Sequence, residues 1–345
     1  MGSRPLDGIT VVALEQAVAA PFATRQLADL GARVIKVERP GTGDFARAYD
    51  TAVHGLSSHF VWLNRSKESL TLDLKRPEAA DALRRLIARA DVFVQNLAPG
   101  AAERLGLGAD ALRADHARLI VCGLSGYGAS GPYRDRKAYD LLVQAESGVM
   151  SITGTPDECV KVAIPVADLA AGMYAYTGML TALFARERTG EGASIEVSML
   201  EALGEWMGFP LHYTLYGGTP PPRSGPRHAT IAPYGPYACA GGEAVLLGIQ
   251  NEREWVRFCA DVLGRPELAA DPRFDTSARR GANREALDRL IDGVFAGLTA
   301  AAAIERLDAA DIANARLNTV EQFAAHPQLA ARERWREVAT SAGSG

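Results

Sequence analysis

The first 125 residues alternate short apolar runs with stretches of helical periodicity. The apolar runs predict five strands, at Ile9–Glu15, Ala32–Glu38, Leu70–Leu74, Asp91–Gln95 and Leu119–Leu124. Helices are predicted over Ala19–Leu30 and over Pro77–Ala90, where proline stands at the tolerated first position. A repeat of this kind builds a doubly wound parallel sheet with helices on both faces and a ligand beyond the carboxyl ends of its strands.

The rest of the chain predicts a smaller domain after a break. Helices over Leu169–Ala185 and Met199–Leu215 flank a short strand at Ser194–Val197, and Gly217–Arg227 is rich in proline and glycine with no apolar period. A hairpin follows, from Tyr234–Cys239 and Ala244–Ile249, and then helices from Glu252 to about Ala325. We therefore expect a large domain over 1–216, a linker or lid over 217–232 and a small α+β domain over 233–325.

Composition narrows the class of protein. The 345 residues carry 41 acidic and 37 basic side chains, a formal net charge of -4, so nothing in the overall charge favours nucleic acid. The four cysteines lie 37, 80 and 20 residues apart without histidines at ligand spacing, so we expect no metal. Asp7 and Glu15 interrupt any leader-like segment, and the uncharged run Leu169–Ala185 is short for a membrane span. We expect a cytoplasmic protein with no membrane partner.

Familiar motifs are absent or misplaced. Gly126–Gly131 fits G-x-G-x-x-G, but it follows the fifth predicted strand and precedes Pro132, so it favours a loop over a ligand rather than nicotinamide binding. The sequence has no phosphate-binding P-loop motif. Gly123–Tyr127 does not match the G-x-S-x-G nucleophile elbow of hydrolases, because Tyr127 replaces the last glycine. His54 and His59 are five residues apart, which is not a spacing of metal ligands on a helix, so we expect both to be solvent-exposed loop residues.

Asp168 is the most informative single residue. It is a lone carboxylate at the start of an almost uncharged helix. One interpretation is a helix cap, a position that aspartate favours. The other is a nucleophile, because the helix N-terminus stabilises an ionised carboxylate near neutral pH. The residues alone leave both open.

A series of ordered blocks across about 330 residues resembles the class III coenzyme A transferases, the family of formyl-CoA, carnitine and dicarboxylyl-CoA transferases and acyl-CoA racemases. The blocks are Leu6–Gly8, Asp29–Ala32, Val34–Gly41, Leu72–Lys75, Gln95–Gly100, Arg104–Gly106, Gly126–Gly128, Gly131–Tyr133, Tyr139–Asp140, Asp168–Tyr174 and Thr189–Gly192. The resemblance implies a Rossmann-like large domain, an interlocked homodimer, and residues 326–345 as the start of a shortened C-terminal return segment.

The resemblance also implies roles for individual residues. Asp168 matches the catalytic aspartate of the family. The positions that match its CoA site are Arg39, Leu72, Lys75, Asn96, Leu97, Arg104 and Lys137. Tyr139 and Asp140 match positions beside the acyl group. Cations at these loops suit the phosphates of CoA.

The implied reaction moves CoA from an acyl-CoA donor to a free carboxylic acid through an aspartyl anhydride and an aspartyl-CoA thioester. We expect backbone amides near Leu169 or in the glycine-rich loops to stabilise the oxyanions. Val18 stands where some formyl-transferring relatives carry glutamine, and the block Gly225–Gly235 resembles the succinyl, itaconyl and mesaconyl branch. The acceptor is therefore expected to be a short dicarboxylate, whose distal carboxylate would pair with Arg227, His228 or Arg223.

Three alternatives remain open at this level. An acyl-CoA racemase would use two proton-transfer groups, although this chain has Ala138–Asp140 where racemases tend to read Gly-His-Asp. A catalytically silent CoA-binding subunit and a nicotinamide dehydrogenase are the other two.

Overall fold

The structure is a computed structural model, and it describes residues 4–340 and 343–344. The chain forms two compact units. The first comprises Met1–Ser151, Lys161–His212 and Glu337–Gly345, and the second comprises Ile152–Val160 and Tyr213–Arg336. The end of the expected C-terminal segment, residues 341–342 and 345, lies outside the described residues.

A six-stranded parallel sheet organises the first unit. Its strands are β1 (Thr10–Leu14), β2 (Arg33–Glu38), β3 (Lys67–Thr71), β4 (Val92–Gln95), β5 (Ile120–Ser125) and β6 (Ser194–Ser198). Their order in the sheet is β3-β2-β1-β4-β5-β6, and every neighbouring pair is parallel. The order reverses between β1 and β4, which creates the crevice where doubly wound sheets bind ligands.

Helices cover both faces of this sheet. The helices of this unit are α1 (Ala19–Asp29), α2 (Ser58–Asn64), α3 (Pro77–Ile87), α4 (Ala101–Arg104), α5 (Ala109–Asp115), α6 (Asp140–Glu146), α8 (Val166–Thr189) and α9 (Met199–Trp206), while α7 (Val149–Ile152) and α10 (Gly208–Gly217) begin in it and end in residues of the second unit. The helices α1, α8 and α9 bury apolar side chains against one face, whereas α3, α4 and α5 cover the other. Because both faces are covered, the central strands are nearly continuous runs of buried aliphatic residues.

The second unit is a small antiparallel sheet packed with helices. Its strands are β7 (Tyr234–Ala238), β8 (Ala244–Gly248) and β9 (Asn314–Arg316), in the order β7-β8-β9. Its helices are α11 (Glu252–Arg257), α12 (Ser277–Ala282), α13 (Arg284–Phe295), α14 (Ala300–Ala309), α15 (Val320–Ala324) and α16 (Pro327–Ala331). Trp255, Phe258, Phe274 and Phe295 fill its core. A further pair, β10 (Ala339–Thr340) and β11 (Gly343–Ser344), closes the described chain.

The doubly wound fold class is confirmed, with three local corrections. The third strand is Lys67–Thr71 rather than Leu70–Leu74, because Leu72 and Leu74 lie beyond the end of the strand and pack against the core between the sheet and α3, α4 and α5. The helix expected over Met199–Leu215 is two helices, broken at Met207. The strand β9 has no apolar run and was not expected. Among the described residues, no helix is both long and apolar enough to cross a bilayer.

Candidate active site

The N-terminus of α8 is capped from another part of the chain. Pro165 precedes the helix without a side-chain cap, and Asp168 is the third helical residue. The Oδ1 atom of Asp140 accepts hydrogen bonds from the Ala167 amide at 2.8 Å and from the Asp168 amide at 3.3 Å. The capping carboxylate is therefore that of Asp140, and the interpretation of Asp168 as the cap is wrong. The Asp168 side chain is left for another role.

Asp140 is itself held in place. Its Oδ2 atom accepts a hydrogen bond from the side-chain amide of Gln144 at 2.7 Å, one turn further along α6. Gln144 is fully buried, and its Oε1 atom accepts from the Val162 amide at 2.8 Å. The family resemblance implied a place beside the acyl group for Asp140; in the structure its oxygens accept hydrogen bonds from the Gln144 side chain and from the Ala167 and Asp168 amides.

The start of α1 also lies close to Asp168. The backbone amide of Ala19, the first residue of α1, donates a hydrogen bond to the Asp168 carboxylate. Gly172 lies one turn after Asp168 on the same face of α8, and a Cβ atom added there would lie 2.7 Å from the Ala19 carbonyl oxygen. Only glycine permits this approach. Val18, expected near the acyl group, is the buried residue that precedes the helix.

The pKa of Asp168 is raised from 3.8 to about 7. Burial is the largest cause and the negative charge of Asp140 is the second, whereas the Ala19 hydrogen bond opposes them. The expectation that the helix N-terminus would keep this carboxylate ionised is thus outweighed by desolvation. Near pH 7 the group is divided between the acid and the carboxylate, the range in which a side chain exchanges protons and attacks carbonyl carbons.

Tyr49 is a site residue that the sequence did not reveal. Burial and the negative charges of Asp44 and Asp168 raise its pKa to about 12, so its phenol stays protonated at neutral pH. Its ring packs edge-on against His59, with centroids 5.4 Å apart. Tyr139, which also contributes to the raised pKa, is 64% exposed just before α6. Tyr49 follows a short 3-10 turn with no motif around it, so no sequence signal marks it.

A cavity of about 320 Å³ opens at the carboxyl ends of β1, β2 and β3. Four of the predicted CoA-site residues line it, namely Arg39, Leu72, Lys75 and Leu97. Arg39 and Lys75 are exposed at its rim, while Glu15 and Asp44 belong to its wall. The cavity combines apolar lining with cations at the mouth, an arrangement that suits a ligand with an aromatic base and phosphates.

The remaining predicted CoA-site residues lie elsewhere in the first unit. Arg104 lines a second cavity of about 460 Å³ together with Leu97, and Lys137 is exposed on the loop that precedes α6. The Asn96 side chain instead binds the backbone of Gln16. Its side-chain oxygen accepts from the Gln16 amide at 2.9 Å and its nitrogen donates to the Gln16 carbonyl at 2.8 Å. These two hydrogen bonds hold the segment between β1 and α1 in place.

Arg227 and His228 lie in the second unit and have partners there. The Arg227 guanidinium pairs with Asp288 at 3.3 Å. His228 stacks on Tyr234 with ring centroids 5.2 Å apart, and its Nδ1 atom accepts a backbone amide at 3.0 Å from Ile231. Within the described residues, no cluster of three or more side chains suitable for a metal ion occurs.

Comparisons with known proteins agree with this architecture. The model of CoA-transferase family III matches residues 6–344. A CAIB/BAIF family protein from Brucella suis superposes with a TM-score of 0.85 at 34% identity, covering 96% of this chain and 88% of that chain. The fold of the described residues is therefore that of a solved homologue.

Two relatives are named for the reactions they catalyse. The acetyl-CoA:oxalate CoA-transferase of Acetobacter aceti is 37% identical over 330 residues, which cover 95% of this chain and 84% of that protein. The succinate–glutarate CoA-transferase of Agrobacterium fabrum is 34% identical over 336 residues, covering 95% and 84%. The chain belongs to the class III CoA-transferases.

Proposed function

We propose that Asp168 is the nucleophile of this CoA-transferase and that the acceptor is a short dicarboxylic acid. Substrates of the acyl-CoA and carboxylic acid classes fit the family. The observation that carries the assignment is the arrangement around Asp168: a partly buried carboxylate with a pKa near 7, set between the N-termini of α1 and α8 and bonded by the Ala19 amide. Attack by such a group splits one difficult exchange into easier acyl transfers.

The proposed reaction has two symmetrical halves. The Asp168 carboxylate attacks the thioester carbonyl of the donor, the C–S bond breaks, and CoA leaves as a thiolate from a mixed anhydride. The thiolate then attacks the aspartyl carbonyl, which releases the donor acid and forms an aspartyl-CoA thioester. The acceptor carboxylate repeats these steps in reverse order, so the new acyl-CoA departs and Asp168 is regenerated.

The Ala19 amide supplies the oxyanion donor in this proposal. We assign one oxygen of Asp168 to this amide, so that the other oxygen makes the attack. When the thiolate adds to the aspartyl carbonyl, the held oxygen becomes the oxyanion, and one such donor contributes about 3 kcal/mol in other acyl transfers. The Leu169 amide, expected from the sequence to act here, is bonded to the Pro165 carbonyl at 2.9 Å and is not available.

The first cavity is proposed to bind the nucleotide part of CoA. Arg39 and Lys75 would meet its phosphates at the rim, and Leu72 and Leu97 would pack on its base. Arg104 and Lys137 would contribute further cations from the neighbouring loops. Asn96 would act indirectly, through Gln16.

The dicarboxylate assignment rests on the relatives, whose names specify oxalate, succinate and glutarate. Arg227 and His228 stay proposed partners of the distal carboxylate; their existing contacts with Asp288 and Tyr234 would have to rearrange or be shared. Equal turnover of monocarboxylic and dicarboxylic acceptors of matched length would contradict the assignment.

We also propose a homodimer. Large apolar side chains lie exposed on neighbouring helices of the first unit, among them Phe184 on α8, Trp206 on α9 and Phe209 on α10, which are 68%, 49% and 61% exposed. Apolar surface of this kind is typical of interfaces between subunits. Light scattering after size-exclusion chromatography should give twice the chain mass; a monomer at micromolar concentration would contradict this. A cytoplasmic location stays a prediction.

Covalent trapping tests the nucleophile. Incubation with succinyl-CoA followed by hydroxylamine should convert Asp168 to a hydroxamate, which peptide mass spectrometry detects. Asp168→Asn should carry no modification and lose transfer by at least about four orders of magnitude, as removal of a covalent nucleophile commonly does. Asp110→Asn is the matched control, because Asp110 is an exposed aspartate in the first turn of α5. Modification of Asp110, or transfer by folded Asp168→Asn, would refute the assignment.

A further inference from the structure

Four charged side chains are buried together beside β1, β2 and β3: Glu15 follows β1, Lys36 lies within β2, Asp44 is in the loop after β2, and Lys67 is the first residue of β3. Glu15 accepts a hydrogen bond from Lys67 at 2.7 Å, and Lys36 donates to Asp44 at 2.8 Å and lies 3.5 Å from Glu15. The side chains of Glu15, Lys36, Lys67 and Asp44 are each at most 2% exposed. Burying charges costs more than burying apolar groups of the same size, so this cluster is weak evidence for stability alone.

Asp44 carries the connections that lead out of this cluster. Its Oδ2 atom accepts from Lys36, and its Oδ1 atom accepts from the amides of Ala17 at 3.1 Å and Ala46 at 2.9 Å. Its own amide donates to Glu38 at 2.9 Å. The carboxylate is therefore held at a fixed distance from the chain that joins β1 to α1.

That joining chain has an unusual conformation. Ala17 has a φ angle of 63°, in the left-handed region that side chains other than glycine rarely adopt. Gln16 is bonded at both its amide and its carbonyl to Asn96, and Ala17 is bonded to Asp44. A strained backbone persists only where its surroundings hold it, and such positions cluster at functional sites. Two residues later, α1 begins with the Ala19 amide that bonds Asp168.

We propose that Asp44, anchored by Lys36, is a positioning residue for the transfer reaction: it fixes the turn at Ala17 so that the Ala19 amide is aimed at the Asp168 carboxylate. Its place in this reaction rests on the proposed function of Asp168. Asp44 also belongs to the wall of the first cavity, so the same residue connects the proposed CoA site with the proposed nucleophile.

The charges around Asp168 determine the sign of the expected effect. The ionisable groups that act on it are Asp140 on α6, with Tyr49 and Tyr139 nearby. Asp140 raises the pKa of Asp168, and the Ala19 amide lowers it. Release of the turn weakens the Ala19 bond, so the pKa of Asp168 should rise further, by about one unit, which leaves about tenfold less carboxylate on the acid side.

The test compares two replacements of Asp44 in the full-length protein. Asp44→Ala removes both acceptor oxygens, and Asp44→Asn keeps one of them but places an amide beside the Lys36 ammonium. Circular dichroism and thermal unfolding establish which variants fold. Asp91→Asn is the control, because it weakens a partly buried ion pair of the first unit, that of Asp91 with Arg186 at 2.9 Å. Arg186 lies near the far end of α8, about 27 Å from Asp168 by helix rise.

Two readouts are measured on each folded variant. The first is the titration of the Asp168 carboxyl in protein labelled with 13C at aspartate side chains, assigned by the resonance missing from Asp168→Asn; it needs no turnover. The second is the acid limb of kcat/KM for CoA transfer. We expect both to shift upward by about one pH unit in folded Asp44→Ala, by less in folded Asp44→Asn, whose remaining oxygen can still accept the Ala17 amide, and to stay unchanged in Asp91→Asn.

The outcomes separate the two proposals. If no folded Asp44 variant raises the pKa of the Asp168 carboxyl, or if Asp91→Asn raises it equally, the positioning role is overturned. If Asp168→Asn retains transfer, the proposed nucleophile fails, whereas the carboxyl titration still decides whether Asp44 orients the Ala19 amide. A simple loss of stability would lower the amount of active enzyme without moving either pH midpoint, so it would count against the positioning role.

Discussion

Replacing Asp168 with asparagine should make the protein more stable while it abolishes transfer. The pKa of this group is 3.8 in an ordinary aspartate and about 7 in the folded protein, so the folded state resists its ionisation. An aspartate with a raised pKa lowers the stability as the pH rises from its unfolded value through its folded value, because the unfolded chain releases the proton first. Asparagine carries no charge to bury and keeps an oxygen for the Ala19 amide.

The magnitude follows from the difference between the two pKa values. About three units at 1.36 kcal/mol each correspond to about 4 kcal/mol at pH 8. At pH 5 the same linkage leaves less than half of this, because pH 5 lies only about one unit above the unfolded pKa of 3.8, so keeping the proton in the folded state costs little. A gain of about 2 to 4 kcal/mol at pH 8 is therefore expected for Asp168→Asn.

Urea unfolding of wild type and Asp168→Asn at pH 5 and at pH 8 measures this gain. The midpoint of the variant should exceed that of wild type at both pH values, with the larger difference at pH 8. Asp110→Asn serves again as the exposed control and should match wild type at both. A variant that is no more stable than wild type at pH 8 would mean that the folded protein does not penalise this charge, and the pKa assigned to Asp168 would be wrong.

Three further predictions concern the site. Gly172→Ala places a methyl group 2.7 Å from the Ala19 carbonyl, so it should displace the start of α1 and lower single-turnover transfer at least tenfold; Gly204→Ala, with open space around its Cβ, should not. Lys75→Ala should raise KM for acyl-CoA and leave kcat nearly unchanged. Arg33→Ala is the control, because Arg33 forms an exposed ion pair with Glu68, and it should change neither constant. An unchanged KM in Lys75→Ala would contradict the assignment of the first cavity as the nucleotide site. Wild-type kcat/KM should fall about tenfold per pH unit below about pH 7, as the Asp168 carboxylate is protonated, and a flat profile down to pH 5 would contradict attack by this group.

The sheet could be predicted because its signal is local. Central strands buried on both faces are mostly apolar, and β1, β2, β4 and β5 each contain at least three apolar residues, although Lys36 interrupts the run in β2. The edge strand β3 does not need an apolar run, because most of its residues, Lys67–Thr71, are exposed. The prediction followed the nearby leucines instead and placed this strand about three residues too late in the sequence. The three-residue strand β9 carries no such signal either, and only its pairing with β8 makes it a strand.

The sequence by itself determined that a solitary carboxylate stands at the start of a long apolar helix and that cations follow the strands of a parallel sheet. Only the tertiary structure decided what those groups do. Asp140 takes the capping position from 28 residues away, and the Ala19 amide reaches Asp168 from the first helix of the chain. Desolvation then moves the pKa against the direction that the helix alone would impose. Burial and contacts between distant residues arise only when the chain is packed, so no local pattern encodes them.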